Sequence, residues 1–171
     1  MKHSPPRRFK PAGAISWAIP VDEGPAFTKQ PPRRKGVRAK GVRYENRVHL
    51  KMEDLYGERY LPSQWFKFGT EGNDIRWCQP DGLLFDVPNG VITVLEMKYN
   101  HTPNAWWQLR LLYGPLVQFV FPSFRIRVVE VCQWYDCNVA FPEPTVLTPS
   151  VDRCGDRDFH IHIYRPRRGD P

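Results

Sequence analysis

The stretch QPDGLLFDVPNGVITVLEMKY, residues 79–99, decides the fold. Pro88-Asn89-Gly90 at its centre is a strong turn signal between runs rich in Leu, Phe, Val, Ile and Thr. The pattern predicts strands over 74–86 and 91–99 joined as a hairpin. Side chains two apart on a strand share a face, so Glu96 and Lys98 follow Ile92 and Val94 on one side. A charged pair thus stands where an apolar row runs out. A two-residue turn at Pro88 and Asn89 pairs Asp86 with Val91 and, counting back, Asp81 with Glu96. A bulge at Gly90 would shift that register by one residue, and Gly82 is a second place where the strand can break.

Two carboxylates brought together repel unless a cation lies between them. Oxygen ligands favour a hard ion, most naturally Mg²⁺, with Mn²⁺ as an alternative; Mg²⁺ keeps several waters and shares its shell with phosphate. A lysine alongside can orient the attacking water and offset charge developing on phosphorus. The set suits metal-assisted phosphodiester hydrolysis. A D…ExK triplet also arises by chance, and the alternative is an exposed hairpin with a cross-strand Lys–carboxylate pair.

Working outward, residues 38–56 contain no proline and read as a helix ended by Gly57. Its inward stripe is Gly41, Glu45, Val48, Met52 and Leu55. Glu45 is the misfit, because a carboxylate on an apolar stripe is costly to bury without a partner; an edge position is the alternative. A short strand is expected over 64–68. Beyond the hairpin, Thr102 caps a helix running to Val120 with Pro103 at its first position, and Gly114-Pro115 should kink or split it. Strands follow over 125–135, where Ile126, Val128 and Glu130 alternate with Arg127, Val129 and Val131, and over 158–164.

The 171 residues, 41% of them hydrophobic, suffice for one domain with a sizeable core. Residues 1–40 hold ten Lys/Arg against Asp22 and Glu23, whereas 41–171 hold fifteen against sixteen Asp/Glu. The net charge of +7 therefore belongs to a leading segment. Its seven prolines forbid a continuous helix, so residues 1–37 read as a basic arm, extended or disordered until an acidic partner holds it. DNA is the expected partner, through Arg33, Arg34, Lys35, Arg38, Lys40 and Arg43; a protein assembly engaging the arm is the other. Residues 165–171 form a short basic tail. Cys78, Cys132, Cys137 and Cys154 show no CxxC spacing and read as reduced thiols. No apolar run approaches the ~18 residues of a membrane helix, and no signal core opens the chain. The expectation is an intracellular, cytoplasmic protein, virion-associated if phage-encoded.

Pro80-Asp81 and Glu96-Met97-Lys98, in this order across a short hairpin, resemble the signature of the PD-(D/E)XK nuclease superfamily. The flanking helix, strands, helix and strand over 38–135 are similar to that family's core. The resemblance implies an α/β domain over 38–164 with a restriction-endonuclease-like αβββαβ core, a mixed central sheet and flanking helices. It implies a Mg²⁺-dependent deoxyribonuclease in which Asp81, Glu96 and the Met97 carbonyl hold the metal and Lys98 activates water. Glu45 falls where many members carry a glutamate that reaches the metal through water. Gln108 matches a glutamine of some subfamilies, which place tyrosine at the fourth position after it; here that position is Leu112 and Tyr113 comes next. A non-catalytic module that binds nucleic acid, or docks on a phage particle or transposition complex, is the second reading.

His160 and His162 share a strand face without an evident third ligand and read as an ordinary pair. His101 reads as a loop histidine or a phosphate contact. Trp106 and Trp107 read as core packing, with base stacking as the alternative.

Overall fold

The computed structural model describes residues 9–26, 36–72, 74–134, 150–151 and 158–166, with the backbone alone at 37, 38, 150, 151 and 158. Helix α1 (Val37–Tyr56) precedes β2 (Tyr60–Pro62), β3 (Trp65–Thr70), β4 (Ile75–Cys78), β5 (Gly82–Asp86) and β6 (Val91–Asn100). Helix α2 (Pro103–Gln108), a π turn (Leu109–Tyr113) and α3 (Gly114–Val120) then run on continuously into the region before β7 (Arg125–Trp134). Strands β8 (Ser150–Val151) and β9 (Asp158–Ile163) close the described chain, and β1 (Ile15–Val21) precedes α1.

A six-stranded sheet has the order β2-β5-β6-β7-β9-β8. Its β2–β5, β5–β6 and β8–β9 pairs are antiparallel and its β6–β7 and β7–β9 pairs parallel, so the sheet is mixed. One face carries α1 over Leu95, Met97, Val129 and Val131. The other buries Leu83, Ile92, Val94 and Val128 against Leu109, Tyr113, Leu116 and Val117 of the second helical run. This is an α/β architecture. The hairpin register is the one expected from the turn: Asp86 faces Val91 and Gly82 faces Leu95. Gly90 at φ 60° closes the Val87–Asn89 turn in the left-handed region that glycine tolerates.

Several expectations need correction. The predicted strand 74–86 is two strands in different sheets, because Pro80 has no N–H with which to continue a ladder. Strand β4 leaves to join β3 and β1 in a three-stranded sheet. The leading segment is not wholly an arm. Ile15–Val21 pairs with Trp65–Thr70, and Ala12 is buried. Pro20 is accommodated because β1 is an edge strand. The Arg76 guanidinium further grips the carbonyls of Lys10 (2.8 Å), Pro11 (2.6 Å) and Ala12 (3.3 Å). What holds this segment is therefore apolar packing, backbone pairing and the Arg76 guanidinium. Arg33, Arg34 and Lys35 lie outside the described residues, as do Cys137, Cys154 and the end of the tail.

The inward face of α1 also differs. Leu55 is 54% exposed, while Tyr44 and Val48 are buried. The large Tyr44 ring takes the sheet-facing position, its hydroxyl donating to the Tyr164 carbonyl (3.2 Å) and its edge meeting Tyr99. Glu45 is thereby turned to the half-buried flank of the helix, which avoids the cost of full carboxylate burial. The break in the second helical run falls one turn ahead of Gly114-Pro115. Pro115 has no N–H to offer the Leu111 carbonyl, and that carbonyl instead accepts the Ala12 N–H at 2.7 Å.

Gly82 stands where only glycine fits. A Cβ there would lie 2.6 Å from the ring and 2.7 Å from the hydroxyl of Tyr60. That ring is buried, and its hydroxyl is tied to His49 Nδ1 at 2.6 Å, so it has little freedom to yield. Gly82→Ala should cost about 2 kcal/mol by overpacking. Thermal unfolding followed by circular dichroism should show Tm lowered by about 4–8 °C; an unchanged Tm would mean that the Tyr60 ring moves freely.

Candidate active site

Asp81 enters from the loop before β5, and Glu96 and Lys98 stand side by side on β6. The β5–β6 ladder ends at the Gly82–Leu95 rung. Beyond it the Met97 N–H donates to Asp81 Oδ2 at 2.6 Å, which fixes the carboxylate against the strand carrying the other two residues. Lys98 Nζ donates to Glu96 Oε1, and Glu96 is 2% exposed. Its second oxygen, Oε2, is buried without a hydrogen-bond partner. Such an orphaned anionic oxygen is costly to leave unmatched.

The electrostatics follow from this crowding. Burial and the neighbouring Asp81 charge push the Glu96 carboxyl up to about 8, against the opposing pull of Lys98. Burial raises Asp81 as well, opposed by Lys98, the Met97 N–H and His49. For Lys98, burial favours the neutral amine, but the Glu96 and Asp81 carboxylates outweigh it and hold the ammonium above its ordinary range. Two buried carboxylates, one of them raised by the other's charge and carrying an unpartnered oxygen, form a donor set that fits a hard divalent cation. Among the described residues no group of three or more His, Cys, Asp or Glu is arranged to hold a metal ion. The protein would thus offer two carboxylates and leave most of the shell to water and phosphate oxygens, as Mg²⁺ prefers.

Helix α1 brings His49 to Tyr60, within electrostatic reach of Asp81, and carries Glu45 one turn earlier. The charges of Asp81, Glu53 and Glu45 all reinforce the effect of burial in raising the Tyr60 hydroxyl above its usual range. His49, bonded to that hydroxyl, is shifted down by burial, with Asp81 acting against the shift. Glu45 and Asp81 are therefore both within electrostatic reach of the Tyr60 hydroxyl.

Gln108 lies on the opposite wall. Its Nε2 donates to the Tyr113 hydroxyl at 3.2 Å, although five residues separate them. The π turn Leu109–Tyr113 makes that contact possible, since its wider turn absorbs the extra residue. Burial raises the Tyr113 hydroxyl, and the charges of Glu96, Cys78 and Asp81 add to the effect. The Gln108–Tyr113 pair is thus electrostatically coupled to the carboxylates.

Sequence reasoning missed Glu130 as part of this neighbourhood. It faces Glu96 across the parallel β6–β7 ladder and is fully buried. His101 Nδ1 lies 2.7 Å from Glu130 Oε2, and the Thr102 N–H donates to Oε1 at 3.3 Å. Burial raises the Glu130 carboxyl, while His101, the Thr102 N–H and Lys98 act against it. The available signal was a carboxylate in the apolar row Ile126, Val128. His101 is the loop histidine expected, between β6 and α2, and is buried against Glu130 rather than open to a phosphate.

The remaining expected residues are placed as follows. Arg38 is in the first turn of α1, and Lys40 and Arg43 are exposed farther along it. Trp106 is buried in the core with Trp107 edge-on at 4.4 Å, in line with the packing reading. His160 and His162 face Val129 and Val131 on β9. Cys78 and Cys132 are free, buried thiols. Among the described residues no helix is long and apolar enough to cross a membrane. No family model, curated protein or solved structure matches the chain.

Proposed function

We propose that the protein is a Mg²⁺-dependent nuclease that hydrolyses DNA phosphodiester bonds on a restriction-endonuclease-like core. The observation that carries this reading is the meeting of Asp81, Glu96 and Lys98 at the end of one ladder, with Glu96 Oε2 buried and unmatched. The order α1, β2, β5, β6, the second helical run and β7 supports the expected core, with β1, β3 and β4 as an added sheet.

Asp81 and Glu96 would hold the ion, with the Met97 carbonyl as a further oxygen. When bound, Mg²⁺, or Mn²⁺ in its place, would make water a better nucleophile and neutralise charge developing on the phosphate. Lys98 is held on Glu96 and charged, which suits it to orient the attacking water and to donate to a phosphate oxygen. The Met97 N–H keeps Asp81 in one orientation, so little rearrangement is needed at the moment of reaction. Glu45 would steady the water around the ion from the α1 side.

The direct test is incubation with supercoiled, linear and branched DNA in Mg²⁺ or in EDTA. Cleavage in Mg²⁺ alone supports the reading. Absence of cleavage on every substrate, with Mg²⁺ or Mn²⁺, overturns it in favour of a non-catalytic module. Two predictions sharpen it. Glu45→Gln should lower activity and raise the Mg²⁺ requirement about 10–100-fold; equal activity at every Mg²⁺ concentration removes Glu45 from the site.

The second concerns pH. With Glu96 raised to about 8, the folded state binds more protons than the unfolded chain between the ordinary glutamate range and about pH 8. Stability from this group is present at low pH and is lost as pH rises through about 8. Metal binding needs the carboxylate ionised and so strengthens over the same interval. Thermal stabilisation by Mg²⁺ should be small near pH 6 and grow towards pH 9; a shift independent of pH would remove Glu96 from the metal.

A further inference from the structure

On α1, Lys40, Arg43 and Arg47 lie three and four residues apart, which places them on one stripe. They line a cleft of about 300 Å³ with Tyr44 from the same helix, Tyr99 from β6 and Gln133 from β7. Among the described residues none of the three cations is in a salt bridge; the ion pairs are Lys51–Asp54, Lys98–Glu96 and His101–Glu130. Nor is there a carboxylate among the described residues that line the cleft. From residue 41 onward acids slightly outnumber Lys and Arg, so a cleft whose described lining joins Arg43 and Arg47 to Lys40 without a carboxylate is a local concentration of positive charge. Tyr99 and Gln133 add a phenol and an amide, groups that hydrogen-bond anionic oxygens or meet a base or sugar.

The cleft is also placed in relation to the site. Lys98 faces Cys132 across the β6–β7 ladder, and Tyr99 and Gln133 are the next residues along the same two strands. Successive residues advance about 3.3 Å and point to opposite faces of the sheet. The cleft thus opens one step beyond Lys98, on the α1 side.

We propose that this cleft is a phosphate subsite for a nucleic-acid strand, in which Arg43 and Arg47 with Lys40 bind a phosphate on the α1 face of the sheet, the face opposite Glu96 and Lys98. Guanidinium groups match phosphate oxygens bidentately, and two of the three cations are arginines. The identity of the strand as substrate rests on the nuclease reading; the cleft's affinity for phosphate does not. The anion can be an internal phosphodiester or a terminal phosphomonoester, and both present the same oxygens.

The test measures binding of the full chain to fluorescent DNA in EDTA, without turnover, over a range of salt concentrations. The Arg43→Ala/Arg47→Ala variant alters exposed positions, and unchanged thermal unfolding would verify its fold. It should bind more weakly, and its plot of log affinity against log salt should be shallower. For each phosphate no longer neutralised, the slope should flatten by about 0.7 on single strands and about 0.9 on duplex. The Arg43→Lys/Arg47→Lys variant should recover most of the slope, because charge is retained. Preference for a phosphorylated over a hydroxyl end, abolished in the alanine variant, assigns the terminal source; equal binding of circular and linear strands, weakened equally, assigns the internal one. Wild-type affinity and slope in the alanine variant would overturn the subsite, and if wild-type cleavage persists the nuclease reading stands. Absence of cleavage by the wild-type protein, with the binding differences intact, would remove the nuclease reading and leave the subsite.

Discussion

Glu96→Ala protein should show no DNA cleavage above background while unfolding at or near the wild-type temperature. The substitution removes a buried carboxylate that is raised by burial and by Asp81, so repulsion in the site falls as Lys98 loses its partner. These opposing effects keep the change in stability small, whereas the site loses one of its two metal-holding groups. Asp81→Ala should behave alike in activity, leaving the Met97 N–H without its acceptor. Lys98→Ala should be milder, retaining DNA binding and losing about 10²-fold or more in turnover, the scale of one electrostatic or proton-transfer group. A plasmid-nicking assay with Mg²⁺ titration separates these outcomes. Wild-type rates from Glu96→Ala would end the assignment of this cluster as the catalytic centre.

Glu130→Ala should produce the largest loss of stability among changes near the site. The carboxylate is fully buried and serves two donors, the His101 ring and the Thr102 N–H. Removing it leaves both without that acceptor in the interior, and breaking a buried polar pair costs about 3 kcal/mol or more. For a chain of this size Tm should fall by about 6–12 °C. Glu130→Gln keeps an acceptor for Thr102 and should lose less. Denaturant titration of both variants checks the order, and a Glu130→Ala protein within about 0.5 kcal/mol of wild type would show that the pair does not support the fold.

The hairpin was legible in the sequence because two independent constraints agree on its register. Pro88-Asn89-Gly90 fixes the turn, and the apolar row of Ile92 and Val94 must face inward. Together they bring Asp81 near Glu96 and Lys98, but the expected Asp81–Glu96 rung is not formed, because the ladder ends at Gly82–Leu95. Strand β1 was not legible because composition was weighed over the whole leading segment. Its prolines and cations obscured the short apolar run Ile15–Val21, and an edge strand tolerates the proline that argues against it. Tyr44 displaced Glu45 from the sheet-facing position because tertiary packing of a large ring outweighs a simple count along the helix. Glu130 was hidden for a different reason: one carboxylate in an apolar strand shows its partner only once β7 is laid beside β6 and the chain after β6 folds back over it. The Gln108–Tyr113 relation was unreadable by counting, since no residue type announces a π turn.

That widened turn also has a mechanical meaning. Its region anchors Ala12 through the Leu111 carbonyl, while Arg76 on β4 clasps the three carbonyls of Lys10, Pro11 and Ala12. A load applied at Lys10 is therefore shared rather than borne at one point. It is divided between the three-stranded sheet and the helical wall that holds Tyr113 close to the carboxylates.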